Sequence, residues 1–108
     1  MTVRYFLTVH GIVQGVGYRA LVKGVALENR VTGFVRNMPD GSVTALAVGE
    51  KAALDLFVKG IDVDTNWGPR VFEIEISTEG DPGFPEISEE FDGFRISRDY
   101  PPACHHTV

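Results

Sequence analysis

Gly11-Ile12-Val13-Gln14-Gly15-Val16-Gly17-Tyr18-Arg19 is the stretch from which the rest of this chain is read. It joins a strand-like run, Val3 to His10, to a helix-like run, Tyr18 to Asn29. Glycines at 11, 15 and 17 let the backbone bend tightly and bring its N–H groups close to a ligand. The helix begins at once, and its first N–H groups have no intrahelical acceptor. Those donors and the positive end of the helix dipole together make an anion site. Arg19 falls in the first helical turn, so its guanidinium can return toward the same anion as a planar two-pronged donor. Phosphate is the natural guest, with a plain tight turn as the competing reading. Gly15 to Ala20 also imitates the dinucleotide fingerprint G-x-G-x-x-A. That fingerprint needs a βαβ unit ending in an acidic residue about 20 positions on. Here the second strand ends near Asn37, and the chain is short for a doubly wound sheet.

Outward from this loop, the pattern names the other elements. Val3, Tyr5, Leu7 and Val9 alternate with Arg4, Phe6, Thr8 and His10, the period of a strand. Tyr18, Leu21, Val22, Val25 and Ala26 form one apolar helix stripe. Thr32 to Met38 and Ser42 to Val48 read as a hairpin around Pro39-Asp40-Gly41. Glu50 to Ile61 is a second helix with Leu54, Phe57, Val58 and Ile61 on its buried stripe. Arg70 to Ser77 alternates again, with Phe72, Ile74 and Ile76 on one face and Glu73 and Glu75 on the other. Residues 79–92 turn to Gly, Pro and acids, a long surface connection with Phe84 and Phe91 as anchors. Phe94 to Arg98 is a short last strand. The order β-α-β-β-α-β, with a further C-terminal strand, predicts an α+β, ferredoxin-like sandwich: an antiparallel sheet with both helices on one face. Strands one and two then run parallel, so their C-terminal ends share one sheet edge. Asn37 can therefore face the glycine loop, where its carboxamide can donate to one oxygen and accept from a water; the alternative is a turn residue before Pro39.

Composition bounds the function. With 108 residues, residues 1–98 read as one domain and 99–108 as a C-terminal tail. Fifteen acidic against ten basic side chains give a net charge of -5, which argues against nucleic acid or an anionic membrane as partner. The anion site must then be built locally. One cysteine, Cys104, forms no internal disulfide, consistent with a cytoplasmic chain. No apolar run is long enough to span a membrane. A ferredoxin-like RNA binder would need a basic, aromatic sheet face, against the charge balance. His10 could act as an acid or base, and Cys104-His105-His106 has metal-ligand types without a fourth ligand nearby. His10 reads better as a strand-end side chain and the Cys-His-His tail as an adventitious metal binder, and Trp67, beside Gly68-Pro69, reads as packing.

Two long motifs carry a family resemblance. Val9 to Arg19 resembles the acylphosphatase signature V-x-G-x-V-Q-G-V-x-F/Y-R, and Gly33 to Val43 resembles its second, G-W/F-V-R-N-x-x-D-G-x-V. The close match covers about residues 3 to 49, and the second half agrees in element order. The resemblance implies hydrolysis of a carboxyl phosphate to carboxylate and inorganic phosphate, with no metal or other cofactor. It implies Arg19 as the phosphate-binding arginine and Gln14, Gly15, Val16, Gly17, Tyr18 and Arg19 as the N–H cradle. It implies Asn37 as the residue that places the attacking water, with the substrate's own phosphate taking the proton. A small-molecule acyl phosphate is the expected partner, and the chain is expected to act as a monomer. Ile12 departs from the pattern where Arg or Lys is common, and Met38 where a small hydroxyl residue is. The alternative is an acyl- or carbamoyl-phosphate-binding module acting with a partner, since the same domain occurs fused to carbamoyl-transfer enzymes.

Overall fold

The structure is a computed structural model of the chain, describing residues 2–87 and 89–99. Cys104, His105 and His106, and the tail from residue 100 on, lie outside the described residues. The elements follow in the order β1 (Val3–Ile12), α1 (Tyr18–Glu28), β2 (Thr32–Asn37), β3 (Val43–Gly49), α2 (Lys51–Ile61), β4 (Arg70–Thr78) and β5 (Phe94–Ile96). The sheet order is β4-β1-β3-β2-β5. Because β1 and β2 each pair antiparallel with β3, they run parallel to one another. This is the ferredoxin-like arrangement read from the sequence, with one refinement. The last strand pairs parallel with β2, so the sheet is mixed rather than purely antiparallel. Residues 79–87 and 89–92 lie across the sheet and lead to β5 at the far edge, which runs in the direction of β2.

Strand alternation and helix periodicity point the same residues inward. Leu7 and Val9 of β1, Val35 of β2 and Val43, Ala45 and Ala47 of β3 face Val22 and Ala26 of α1 and Leu54, Phe57 and Ile61 of α2. All are buried, and each of the larger side chains contributes about 1.5–3 kcal/mol. Helix α1 closes in a Schellman motif: Val31 N–H donates to the Ala26 carbonyl at 2.9 Å and Arg30 N–H to that of Leu27 at 3.4 Å.

The expected face of Phe72, Ile74 and Ile76 forms only in part: Ile74 and Ile76 stand opposite the core residues Val9 and Leu7, but Phe72 does not join them. His10 pairs with Glu73 but Gly11 pairs with Val71, so a bulge leaves Phe72 without a cross-strand partner. Val71 and Ile74 pack on the core, whereas Phe72 is 69% exposed and Ile76 is exposed on this edge strand. The bulge also lets β1 run two residues further than its alternation suggests, to Ile12.

The acidic connection lies across the sheet's outer face, away from the helices. Arg4 reaches over to the carbonyls of Ile87 at 2.6 Å and Glu89 at 3.0 Å. Phe91 sets its ring 5.9 Å from that of Phe34, at 51°. The Arg95 guanidinium sits 5.2 Å from the Phe91 ring centre and pairs with Glu89 at 2.9 Å. That contact holds the Glu89 carboxyl below its usual range, chiefly through the hydrogen bond.

Candidate active site

Three strands running the same way, β1, β2 and β5, end on one sheet edge, and the chain that follows each contributes there. After β1 the backbone turns through Gly15 (φ 75°) and Gly17 (φ 81°), left-handed positions that suit glycine. A side chain added at either glycine would meet no protein atom within 4 Å, so the loop presents bare backbone to open space. Gly17 caps α1, and no side chain caps the helix in its place. The Gly17 carbonyl accepts first from Leu21 N–H at 3.2 Å. The N–H groups of Tyr18, Arg19 and Ala20 therefore have no intrahelical acceptor.

Side chains on both sides fix this loop. Val13 is buried at its start and Tyr18 at its end. The Tyr18 hydroxyl donates to the Ile61 carbonyl at 2.7 Å, tying the start of α1 to the end of α2. Burial, with the charge of Asp62 adding to it, pushes this phenol far above its ordinary pKa. Of the cradle residues, Tyr18 can thus offer its backbone only. Gln14 uses its side chain too: Nε2 donates to the carbonyls of Met38 and Ser42, each at 2.8 Å. The Asp40 carboxylate accepts from Ser42 N–H at 2.9 Å and Ser42 Oγ–H at 2.6 Å, which closes the turn. Those bonds hold the Asp40 carboxyl below its ordinary range, the hydroxyl first. Gln14 thereby clamps the glycine loop to the turn after Asn37. Gln14→Ala removes two hydrogen bonds and is expected to cost about 1–3 kcal/mol. A lowered denaturation midpoint and faster hydrogen exchange across residues 38–42 would register it.

A cavity of about 190 Å³ opens between Val13, Gly15, Gly17, Tyr18, Arg19, Ala20 and Ile96. Of the expected cradle, Gly15, Gly17, Tyr18 and Arg19 line it, while Gln14 and Val16 do not. Arg19 is partly exposed, and its Nη1 donates to Asp99 Oδ1 at 2.8 Å. Among the described residues this is the one contact on the guanidinium's edge, and its remaining N–H groups suit an anion. Asn37 lies off the cavity wall, 7% exposed on the sheet's inner side opposite Val43. Its Oδ1 is buried and accepts no hydrogen bond from the described residues.

Two contributors escape sequence reasoning. Asp99 reads as the start of a tail, and Ile96 as a strand residue. Only the direction of β5, fixed by Ser97 N–H donating to the Val35 carbonyl at 2.8 Å, brings both to this edge. His10 belongs elsewhere. It lies on the outer face, with Nε2 3.4 Å from Glu75 Oε2. Together with Glu73 it forms the cluster among the described residues whose spacing could hold a cation, the three donor atoms lying within 4.8 Å of one another. Trp67, read as packing, is instead 74% exposed.

The family model described as Acylphosphatase matches residues 5–96. An acylphosphatase of Thermus thermophilus is 43% identical over 72 residues, covering 67% of this chain and 77% of that protein. One of Lactobacillus gasseri is 34% identical over 90 residues, covering 83% of this chain and 92% of its own. The crystal structure of acylphosphatase from Bacillus subtilis aligns with a TM-score of 0.72 at 32% identity, over 90% of this chain and 99% of that one.

Proposed function

The chain belongs to the acylphosphatase family and is a hydrolase of acyl phosphates, and from there we propose which residues carry the reaction. The phosphoryl group rests in the cradle of N–H groups from Gln14 to Arg19, with the Arg19 guanidinium on its oxygens. Donors fixed before the substrate arrives stabilise charge that builds on those oxygens. Asn37 Oδ1 accepts from the attacking water and points its oxygen at phosphorus. The water oxygen bonds to phosphorus while the bond from phosphorus to the acyl oxygen breaks, and the carboxylate leaves with the electron pair. The water's proton passes to a phosphate oxygen, so the products are a carboxylate and inorganic phosphate. A carboxylate leaves easily, and positioning with charge neutralisation supplies most of what such a transfer requires.

The observation that carries this reading is the buried oxygen of Asn37, which has no donor among the described residues. A buried acceptor without a donor costs about 1–3 kcal/mol, and a structure keeps one where it has a use. Asn37→Ala is expected to lower kcat for benzoyl phosphate by about tenfold or more, the scale of a misplaced reactant. Inhibition by inorganic phosphate should hold nearly constant, because the cradle is untouched. Loss of phosphate affinity with kcat preserved would reverse the assignment.

Action as a monomer in the cytoplasm belongs to the same proposal. Every group it uses comes from one chain, and no helix among the described residues is long and apolar enough to cross a membrane. The deciding experiment is hydrolysis of benzoyl phosphate by the purified protein in EDTA. Turnover with competitive inhibition by phosphate is expected. Turnover that requires an added metal ion, or none at all, would overturn the proposal.

A further inference from the structure

We propose that Ile96 is the residue against which the acyl group of the substrate lies, so that the site favours apolar acyl groups over small or polar ones. This rests on the proposed placement of phosphate at the glycine loop and Arg19. With phosphate held there, the acyl group is bonded to the oxygen that leaves, so it projects away from the donors and toward the remaining cavity wall. Of the residues on that wall, Val13 and Tyr18 are buried and Ala20 offers a single methyl group. Among the described residues Ile96 is the one large apolar side chain there with free surface, at 41% exposed.

The position of Ile96 is set independently of its own packing. Phe94, two residues earlier on the same side of β5, is buried with its ring 6.0 Å from that of Phe57. The parallel register Gly33 with Phe94 and Val35 with Ile96, extended by Ser97 N–H to the Val35 carbonyl, fixes the strand through backbone bonds. Phe94 and the ladder therefore anchor β5, and Ile96 is carried past the end of the core to the cavity. A single exposed isoleucine means little on its own. One that shares a cavity with Gly15, Gly17 and Arg19 has a ligand to meet. A phenyl or alkyl group laid on it would leave water, whereas an acetyl group is too short to cover it and a polar acyl group finds no hydrogen bond on it.

The test compares benzoyl phosphate with acetyl phosphate in the full chain and in Ile96→Ala and Ile96→Val. In Ile96→Ala the ratio of kcat/KM for benzoyl over acetyl phosphate should fall on the order of tenfold, the usual size of apolar-pocket discrimination. Ile96→Val should shift it the same way by less, with an unchanged denaturation midpoint, and inhibition by inorganic phosphate should stay the same in both. An equal fall for the two substrates, or an unchanged ratio, would overturn the assignment while leaving the phosphate site in place. Failure of the unaltered protein to hydrolyse either substrate would instead remove the underlying reading of the site.

Discussion

Arg19→Ala should lower kcat/KM for benzoyl phosphate on the order of 10²- to 10³-fold, the range seen when one preorganised donor to developing charge is removed. The loss should appear in chemistry and in binding together. The phosphoryl group is charged before reaction as well as during it, so inhibition by inorganic phosphate weakens in parallel. Stability should hardly move. The Asp99 pair that Arg19 leaves behind is exposed, and such pairs contribute at most about 1 kcal/mol. Alanine also suits a first helical turn at least as well as arginine. The two readouts therefore separate a functional role from a structural one. Arg19→Lys keeps the charge but not the planar fork, and should recover only part of the activity. Wild-type turnover in Arg19→Ala would take Arg19 out of the phosphate site altogether.

Gly33→Ala should act in the opposite sense, on folding before chemistry. Gly33 adopts φ 138°, and a Cβ there would fall 1.8 Å from the Leu46 carbonyl oxygen on the neighbouring strand. Backbone cannot swing aside as a side chain can, so β2 and β3 would have to part at the centre of the sheet. The expected cost is on the order of 4 kcal/mol, at the far end of single-substitution effects. Denaturant titration reads it directly. A loss below about 1 kcal/mol would mean that the two strands can separate locally at little expense. Because Asn37 closes the same strand, whatever activity survives should be read at a temperature where the variant is folded.

Gly33 also shows why so much of the fold was legible. It sits in the second motif because strand β3 passes too close for anything larger, and that constraint survives in the residue type. The same holds for the left-handed turns at Gly15 and Gly17 and for the stripe of Leu54, Phe57 and Ile61, all fully buried. What the sequence hid depends on contacts between distant segments. Alternation runs unbroken through Phe72, yet the bulge opposite Gly11 takes it out of the ladder, because register is a property of two strands. Trp67 looked like packing beside Gly68-Pro69. Instead Thr65 ties that loop, its Oγ donating to the Pro69 carbonyl at 2.7 Å and accepting from Gly68 N–H at 3.1 Å. With the loop held by polar bonds, the indole is not needed to hold it. At the site the glycine cradle and the edge position of Asn37 follow from local pattern and strand order. Ile96 and Asp99 do not, since a three-residue strand announces neither its neighbour nor its direction.

The crossing of residues 79–92 bears finally on how the molecule behaves among copies of itself. A sandwich of one sheet and one helical layer leaves a sheet face bare, and here that face carries Phe6, Phe34 and Leu46. Bare apolar sheet faces invite association. Pro85, Ile87 and Phe91 cover much of this one from within the same chain, while Glu86, Glu89 and Glu90 are exposed on the crossing. The chain thus supplies its own cover for that face, and beside it leaves Glu86 and Glu90 toward solvent, where like charge on a neighbouring copy disfavours close approach.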